Sequence, residues 1–153
     1  MFEAVIFDYA RTIADPETSQ LFPEAEAVLL FFKKNVAKMA LVSRGQDVDQ
    51  RLKDFETLDL KRYFDAFSVV GPGGTKDFTS LLKELEVTSP EKCLIIGDRV
   101  KSEILEGNKL GCKTVWVKQG KFAAEEPENE IEQPDYIVMS LSELPDLFER
   151  IAI

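Results

Sequence analysis

Five short apolar runs decide what this chain can become: Ala4–Phe7, Lys38–Val42, Ala66–Val70, Cys93–Ile96 and Thr114–Val117. Each is parted from the next by a helix-length stretch. A continuous apolar run bounded by polar residues is the pattern of a strand buried on both faces. Strands of that kind, alternating with helices, call for crossover connections and a parallel sheet covered on both sides. The expectation is a three-layer, Rossmann-like α/β domain with five to six mainly parallel strands, Tyr136–Val138 adding a short edge strand.

The intervening segments supply the helices. Pro23 suits a first helical turn, and Val28, Leu29, Phe31 and Phe32 give that helix an apolar face ending near Asn35. A second helix is expected from Asp47 to Phe55, with Val48, Leu52 and Phe55 on one side. Thr75 is the expected cap of a third, Lys76–Leu85, after the glycine-rich loop Gly71–Gly74. A fourth runs from about Lys101 to Leu110 and stops at Gly111. Ser142 is the expected cap of the last, which ends at Ile151. Ile13–Phe22 reads as a polar connection, and the acidic segment Gln119–Gln133 as a solvated surface loop.

Composition narrows the chemistry. The 28 acidic residues outnumber the 19 basic ones for a net charge of −9, which opposes general binding to nucleic acid or an anionic membrane. No apolar run nears the ~20 residues of a membrane span, and no basic-then-apolar leader opens the sequence. The absence of histidine removes Ser-His and Cys-His nucleophile pairs and His-ligated zinc. Cys93 and Cys112 read as buried thiols of a reducing, cytoplasmic setting, with a disulfide between neighbouring strands as the minor option. Scarce asparagine beside plentiful Glu and Lys points weakly to a heat-adapted source.

Polar residues recur where the apolar runs end. Asp8 follows the first strand, Ser43 the second and Asp98 the fourth, while Lys76 opens the helix after the third. In a parallel sheet the carboxyl ends share one edge, where ligands bind. Two carboxylates facing one crevice repel unless a cation sits between them, and oxygen-only ligands suit Mg²⁺ better than zinc. A lysine and a hydroxyl beside such a metal make a phosphate site.

With those residues in view, the chain resembles the haloacid dehalogenase-like (HAD) superfamily of phosphohydrolases. Asp8-Tyr-Ala-Arg-Thr12 after its apolar run resembles the motif hhhDxDxT, Leu41-Val-Ser43 the second motif, and Lys76 the third. Gly97-Asp98 through Glu103 resembles the fourth, GDxxxx(D/E). The four motifs occur in order over nearly the whole chain, residues 1–153, as a single HAD-like domain. The resemblance implies that Asp8 is a nucleophile forming an aspartyl-phosphate, and that Asp8, the Ala10 backbone carbonyl and Asp98 hold Mg²⁺. It implies that Ser43 and Lys76 bind the transferring phosphoryl group and that Glu103 orients the metal's waters. Arg11 and Arg44 flank these loops as candidate substrate-binding cations, as do Arg99 and Lys101.

One position departs from the pattern. The family's phosphatases carry an aspartate two residues after the nucleophile as general acid and base, and here Ala10 stands there. General acid–base catalysis contributes about 10²–10⁴-fold, so weak or specialised activity is expected. Acyl and aryl phosphates, whose leaving groups need little protonation, should suffer least. An alanine here also resembles the phosphonate-cleaving branch, but that branch needs a helical cap. The stretches from Asp8 to Ser43 and from Ser43 to Lys76 are filled by the first helix, and by the second helix and third strand. Without a large cap the crevice is open to a phosphorylated small molecule or macromolecule, or requires a second copy or partner as lid. The competing expectation is a catalytically impaired relative that binds a phosphorylated ligand or a protein partner. A receiver-like phosphoacceptor ranks last, because the first strand ends in a single Asp8 rather than an acidic pair.

Overall fold

The computed structural model describes residues 1–152. Six parallel strands form the central sheet: β1 (Ala4–Asp8), β4 (Lys38–Arg44), β5 (Ala66–Val70), β6 (Cys93–Gly97), β7 (Lys113–Val117) and β8 (Tyr136–Val138). Their spatial order is β5-β4-β1-β6-β7-β8. The chain therefore steps outward from β1 in one direction, then returns past it and steps outward in the other. Such a reversal opens a crevice at the carboxyl end of the first strand.

Side chains of successive strand residues point to opposite faces, and the core divides accordingly. Val5 and Phe7, with Met39, Leu41, Leu94 and Ile96, pack under α1 (Ala25–Asn35), α2 (Val48–Thr57) and α5 (Leu144–Ile151). Ala4, Ile6, Ala40, Val42, Cys93 and Ile95 face α3 (Phe78–Glu84) and its neighbours. The first face is aromatic: Phe7 meets Phe32 edge-on at 5.4 Å and Phe32 meets Phe148 at 5.2 Å. The second uses small residues, so α4 (Leu105–Leu110) comes close enough that a Cβ on Gly107 would lie 2.7 Å from Thr114 Cγ2. Cys93 and Cys112 are free and buried on this face.

Local chemistry moves several element boundaries. Residues 13–22 are not a plain polar connection: β2 (Ala14–Asp15) and β3 (Gln20–Leu21) pair antiparallel, and Ile13 and Ala14 are buried. Asp77, not Thr75, caps α3 by accepting from the Ser80 amide at 2.9 Å, which leaves Lys76 before the helix. Ser140, not Ser142, caps the last helical segment through a reciprocal box with Glu143, whose carboxylate accepts from the Ser140 amide at 3.0 Å. Leu52 is exposed, and Phe55 alone of its helix is buried. Amphipathic spacing puts Leu52 beside Phe55, but α2 tilts only its far end onto the core. The segment 119–133 is anchored rather than solvated throughout. Glu125 accepts from the Val100 amide at 2.8 Å and pairs with Arg99 at 3.0 Å, and Glu132 is buried. Among the described residues, no helix is long and apolar enough to cross a membrane.

Candidate active site

Asp8 ends β1, and Asp98 follows β6, the strand paired with β1 through Phe7↔Ile96. Ser43 lies inside β4, which runs two positions beyond the Val42 end expected from the sequence, with Asp8 opposite Val42. The parallel register therefore places these groups on one edge. Lys76 arrives from the segment between β5 and α3 and donates to Asp8 Oδ1 at 2.7 Å and to Glu103 Oε2 at 2.8 Å. Thr12, whose hydroxyl donates to Asp8 Oδ2 at 3.2 Å, holds the other oxygen.

Glu103 reaches this cluster through a backbone irregularity. The helix expected from Lys101 begins instead with a π turn, Val100–Ile104, in which the Ile104 amide donates to the Arg99 carbonyl at 3.3 Å. The wider turn directs Glu103 inward, where it is fully buried. Gly97 makes room for it, since a Cβ there would stand 2.5 Å from Glu103 Oε1. Trp116 fixes the neighbouring backbone by donating Nε1–H to the Asp98 carbonyl at 2.9 Å.

Three buried carboxylates thus crowd together: ligand oxygens of Asp8, Asp98 and Glu103 lie within 4.8 Å of one another. Burial, reinforced by the Asp8 and Glu103 charges, pushes the Asp98 carboxyl up to about 8. Burial and Glu103 likewise raise Asp8, against the pull of Lys76. Burial works to lower Lys76, but Asp8 and Glu103 overcome it and hold its ammonium well above the usual lysine range. Asp98 Oδ2 and Glu103 Oε1 are buried and accept no hydrogen bond from the described residues; Arg11 Nε lies 3.4 Å from the former without donating to it. An excess of buried oxygen charge with unpartnered acceptors fits a hard divalent cation.

The sequence-derived residues divide here. Asp8, Lys76, Asp98 and Glu103 converge, Ser43 sits on the same sheet edge one position past Val42, the partner of Asp8, and Ala10 continues from β1 in a bridge to Ala14. Arg11, at φ 63°, turns toward Asp98 and lies over the Phe122 ring at 4.9 Å. Arg44 is exposed on the lip. Arg99 and Lys101 turn away to Glu125 and to Glu128 and Glu132. Arg51 was not legible in advance: it reaches back from α2 to donate Nη1–H to the Ser43 hydroxyl. Its guanidinium stacks on the Tyr9 ring at 4.8 Å.

A family model described as HAD-hydrolase-like matches residues 76–144. Over 133 residues the chain is 32% identical to a glyceraldehyde 3-phosphate phosphatase of Pyrococcus furiosus, covering 84% of this chain and 54% of that one. A 26% identical phosphatase of the same description comes from Methanopyrus kandleri, with 86% of this chain and 58% of that one covered. The chain thus spans about half the length of the curated relatives it matches. Among solved structures, a haloacid dehalogenase-like family protein of Streptococcus pneumoniae superposes with a TM-score of 0.78 over 96% of this chain and 98% of that one, at 16% identity. A magnesium-bound HAD-hydrolase of Bacillus subtilis gives 0.68 over 88% and 57%, at 20% identity. These structural likenesses concern the fold.

Proposed function

The chain belongs to the haloacid dehalogenase-like superfamily, and on that premise we propose that it is a Mg²⁺-dependent phosphohydrolase acting through Asp8. The observation that carries the reading is the buried constellation of Asp8, Asp98 and Glu103 within 4.8 Å, with Lys76 set 2.7 Å from the Asp8 carboxylate. Asp8, the Ala10 carbonyl and Asp98 would hold the ion. When bound, it neutralises the carboxylates and the phosphoryl oxygens.

This chain's own residues do the rest. Asp8 Oδ attacks phosphorus, and an aspartyl-phosphate forms as the bond to the leaving oxygen breaks. Lys76 favours the ionised form of Asp8, against burial and Glu103, and screens it from the incoming anion. Ser43 and Lys76 hold the phosphoryl oxygens, the positioning and charge neutralisation that dominate phosphoryl transfer. Glu103 keeps Lys76 in place and orients water around the ion. Ala10 has no proton to give, so esters of alcohols lose the assistance worth about 10²–10⁴-fold.

We further read residues 1–153 as one domain without a large cap, open to a phosphorylated small molecule or macromolecule, or closed by a second copy or a partner. The free buried thiols support a cytoplasmic setting. The test is p-nitrophenyl phosphate hydrolysis in Mg²⁺, in chelator and in the Asp8→Asn variant. Turnover with Mg²⁺ alone, abolished by Asp8→Asn, is expected. Activity that survives Asp8→Asn would sink the reading. Phosphate binding without any turnover would leave a ligand-binding relative in its place.

A further inference from the structure

Beside Ala10 lies a cavity of about 570 Å³ that the phosphohydrolase reading does not use. Arg11, Arg44 and Arg51 line it, together with Ala10 itself. In a chain of net charge −9, three guanidiniums against the two acids of the same wall, Asp47 and Asp54, leave a local excess of positive charge. The cavity's own acids are otherwise engaged. Asp47 caps α2 by accepting from the Gln50 amide at 3.1 Å. Asp54 accepts from Gln50 Nε2 at 3.0 Å and from the Ser19 hydroxyl at 3.3 Å, and stands 4.0 Å from Arg51 Nε.

Arg51 is built into this wall. Tyr9 supports its guanidinium from beneath, Asp54 holds Nε, and Nη1 is committed to Ser43, the proposed phosphoryl-binding hydroxyl. Gly45 lets the loop lie flat against it: a Cβ there would stand 3.3 Å from Arg51 Cζ. A planar, permanently charged fork held beside the phosphoryl site suits a second phosphate or carboxylate.

We propose that the substrate is a phosphoric anhydride whose leaving phosphate or carboxylate departs into the Arg11–Arg44–Arg51 cavity, the guanidinium charge standing where position 10 lacks a proton donor. The proposal rests on the phosphohydrolase reading above and names its substrate class. Asp8 Oδ forms a bond to the terminal phosphorus as the bond to the bridging oxygen breaks. The bridging oxygen keeps the electron pair and leaves with the departing phosphate or carboxylate, stable as an anion, so no acid is needed. Water then attacks the aspartyl-phosphate, the Asp8–phosphorus bond breaks, inorganic phosphate is released and the proton goes to solvent. An alkoxide leaving group has no such option, and Ala10 denies it the proton.

The experiment compares inorganic diphosphate, acetyl phosphate, glycerol phosphate and p-nitrophenyl phosphate with Mg²⁺, in the unaltered chain and in Arg51→Gln and Ala10→Asp. Both anhydrides should turn over at least ~10²-fold faster than glycerol phosphate, the low end of what general acid catalysis contributes. The diphosphate and acetyl phosphate arms then separate a departing phosphate from a departing carboxylate. Arg51→Gln should cost ~10²-fold on the better anhydride, the scale of one lost anion-stabilising donor, and under ~10-fold on p-nitrophenyl phosphate, whose leaving group needs little help. Ala10→Asp should raise glycerol phosphate turnover and narrow the preference. An equal loss on both substrates in Arg51→Gln would make Arg51 a phosphoryl ligand and overturn the proposal. So would p-nitrophenyl phosphate turnover with anhydrides no faster than glycerol phosphate. No turnover of any substrate overturns the phosphohydrolase reading itself.

Discussion

Replacing Lys76 with methionine tests the electrostatic frame of the site directly. The side chain is 10% exposed and makes ion pairs of 2.7 Å and 2.8 Å with Asp8 and Glu103. Methionine keeps most of its volume and removes the charge, leaving three mutually close carboxylates with Arg11 3.4 Å from one of them. Removing one partner of a buried pair costs about 3–5 kcal/mol, and in a domain of this size each kcal/mol moves Tm by about 2–4 °C. The expected loss is therefore on the order of 10 °C at about pH 8 in chelator. The sign of the pH dependence follows from linkage. Asp98, raised from 3.8 to about 8, binds a proton in the folded state across a range where the unfolded chain has lost it. Its contribution to stability is thus lost as pH rises through that window. In Lys76→Met the raised Asp8 loses the charge that pulls it down and titrates higher still, so the deficit should shrink as the pH falls toward about 5. Mg²⁺ should restore Tm at about pH 8, because it binds the folded state alone. Thermal melts followed by circular dichroism measure all of this. A Tm within about 2 °C of the unaltered chain at about pH 8, or a deficit that grows toward acid, would refute the assignment of Lys76 as the counter-charge.

Two further outcomes follow from the same geometry. Asp98 must shed its proton to ligate a cation, so Mg²⁺ affinity by titration calorimetry should rise by up to about tenfold per pH unit and level off above about 8. An affinity flat across that range would place the ion elsewhere. Gly97→Ala puts a methyl 2.6 Å from Glu103 Cγ and 2.7 Å from its Cβ, atoms too near the backbone to swing aside. It should cost about 1–3 kcal/mol by overpacking and weaken Mg²⁺ binding, and unchanged Mg²⁺ affinity in a folded Gly97→Ala would show that Glu103 needs no such fit.

The central strands were legible because their apolar runs are buried on both faces, which leaves the sequence little freedom. Asp8, Ser43 and Asp98 were legible with them, since a parallel register converts position along a strand into position at an edge. Helix starts were not. Thr75 and Asp77, or Ser140 and Ser142, are equally good caps in a string of letters, and only the chain's approach angle chooses between them. The β2–β3 ribbon escaped because two-residue strands show no period. Glu103 was located by resemblance, but its inward aim depends on a π turn and on the missing Cβ of Gly97. Arg51 carried no signal at all: a single arginine on an amphipathic helix looks solvated until Tyr9 and Ser43 are folded against it.

Position 10 ties these observations together through charge. Burial and the Glu103 charge already press the Asp8 and Asp98 carboxyls toward protonation. A fourth carboxylate at position 10 would add to that repulsion, and it would face Arg11 and Arg51 across the same cavity. An aspartate would face those guanidiniums and offset the positive charge that alanine leaves in the wall, so the proton it offers an alkoxide comes at the expense of the anion site. Alanine at position 10 and arginine at position 51 are therefore one arrangement rather than two accidents. The side chain that a phosphomonoesterase uses to hand over a proton would, in this setting, cancel the charge that receives an anion.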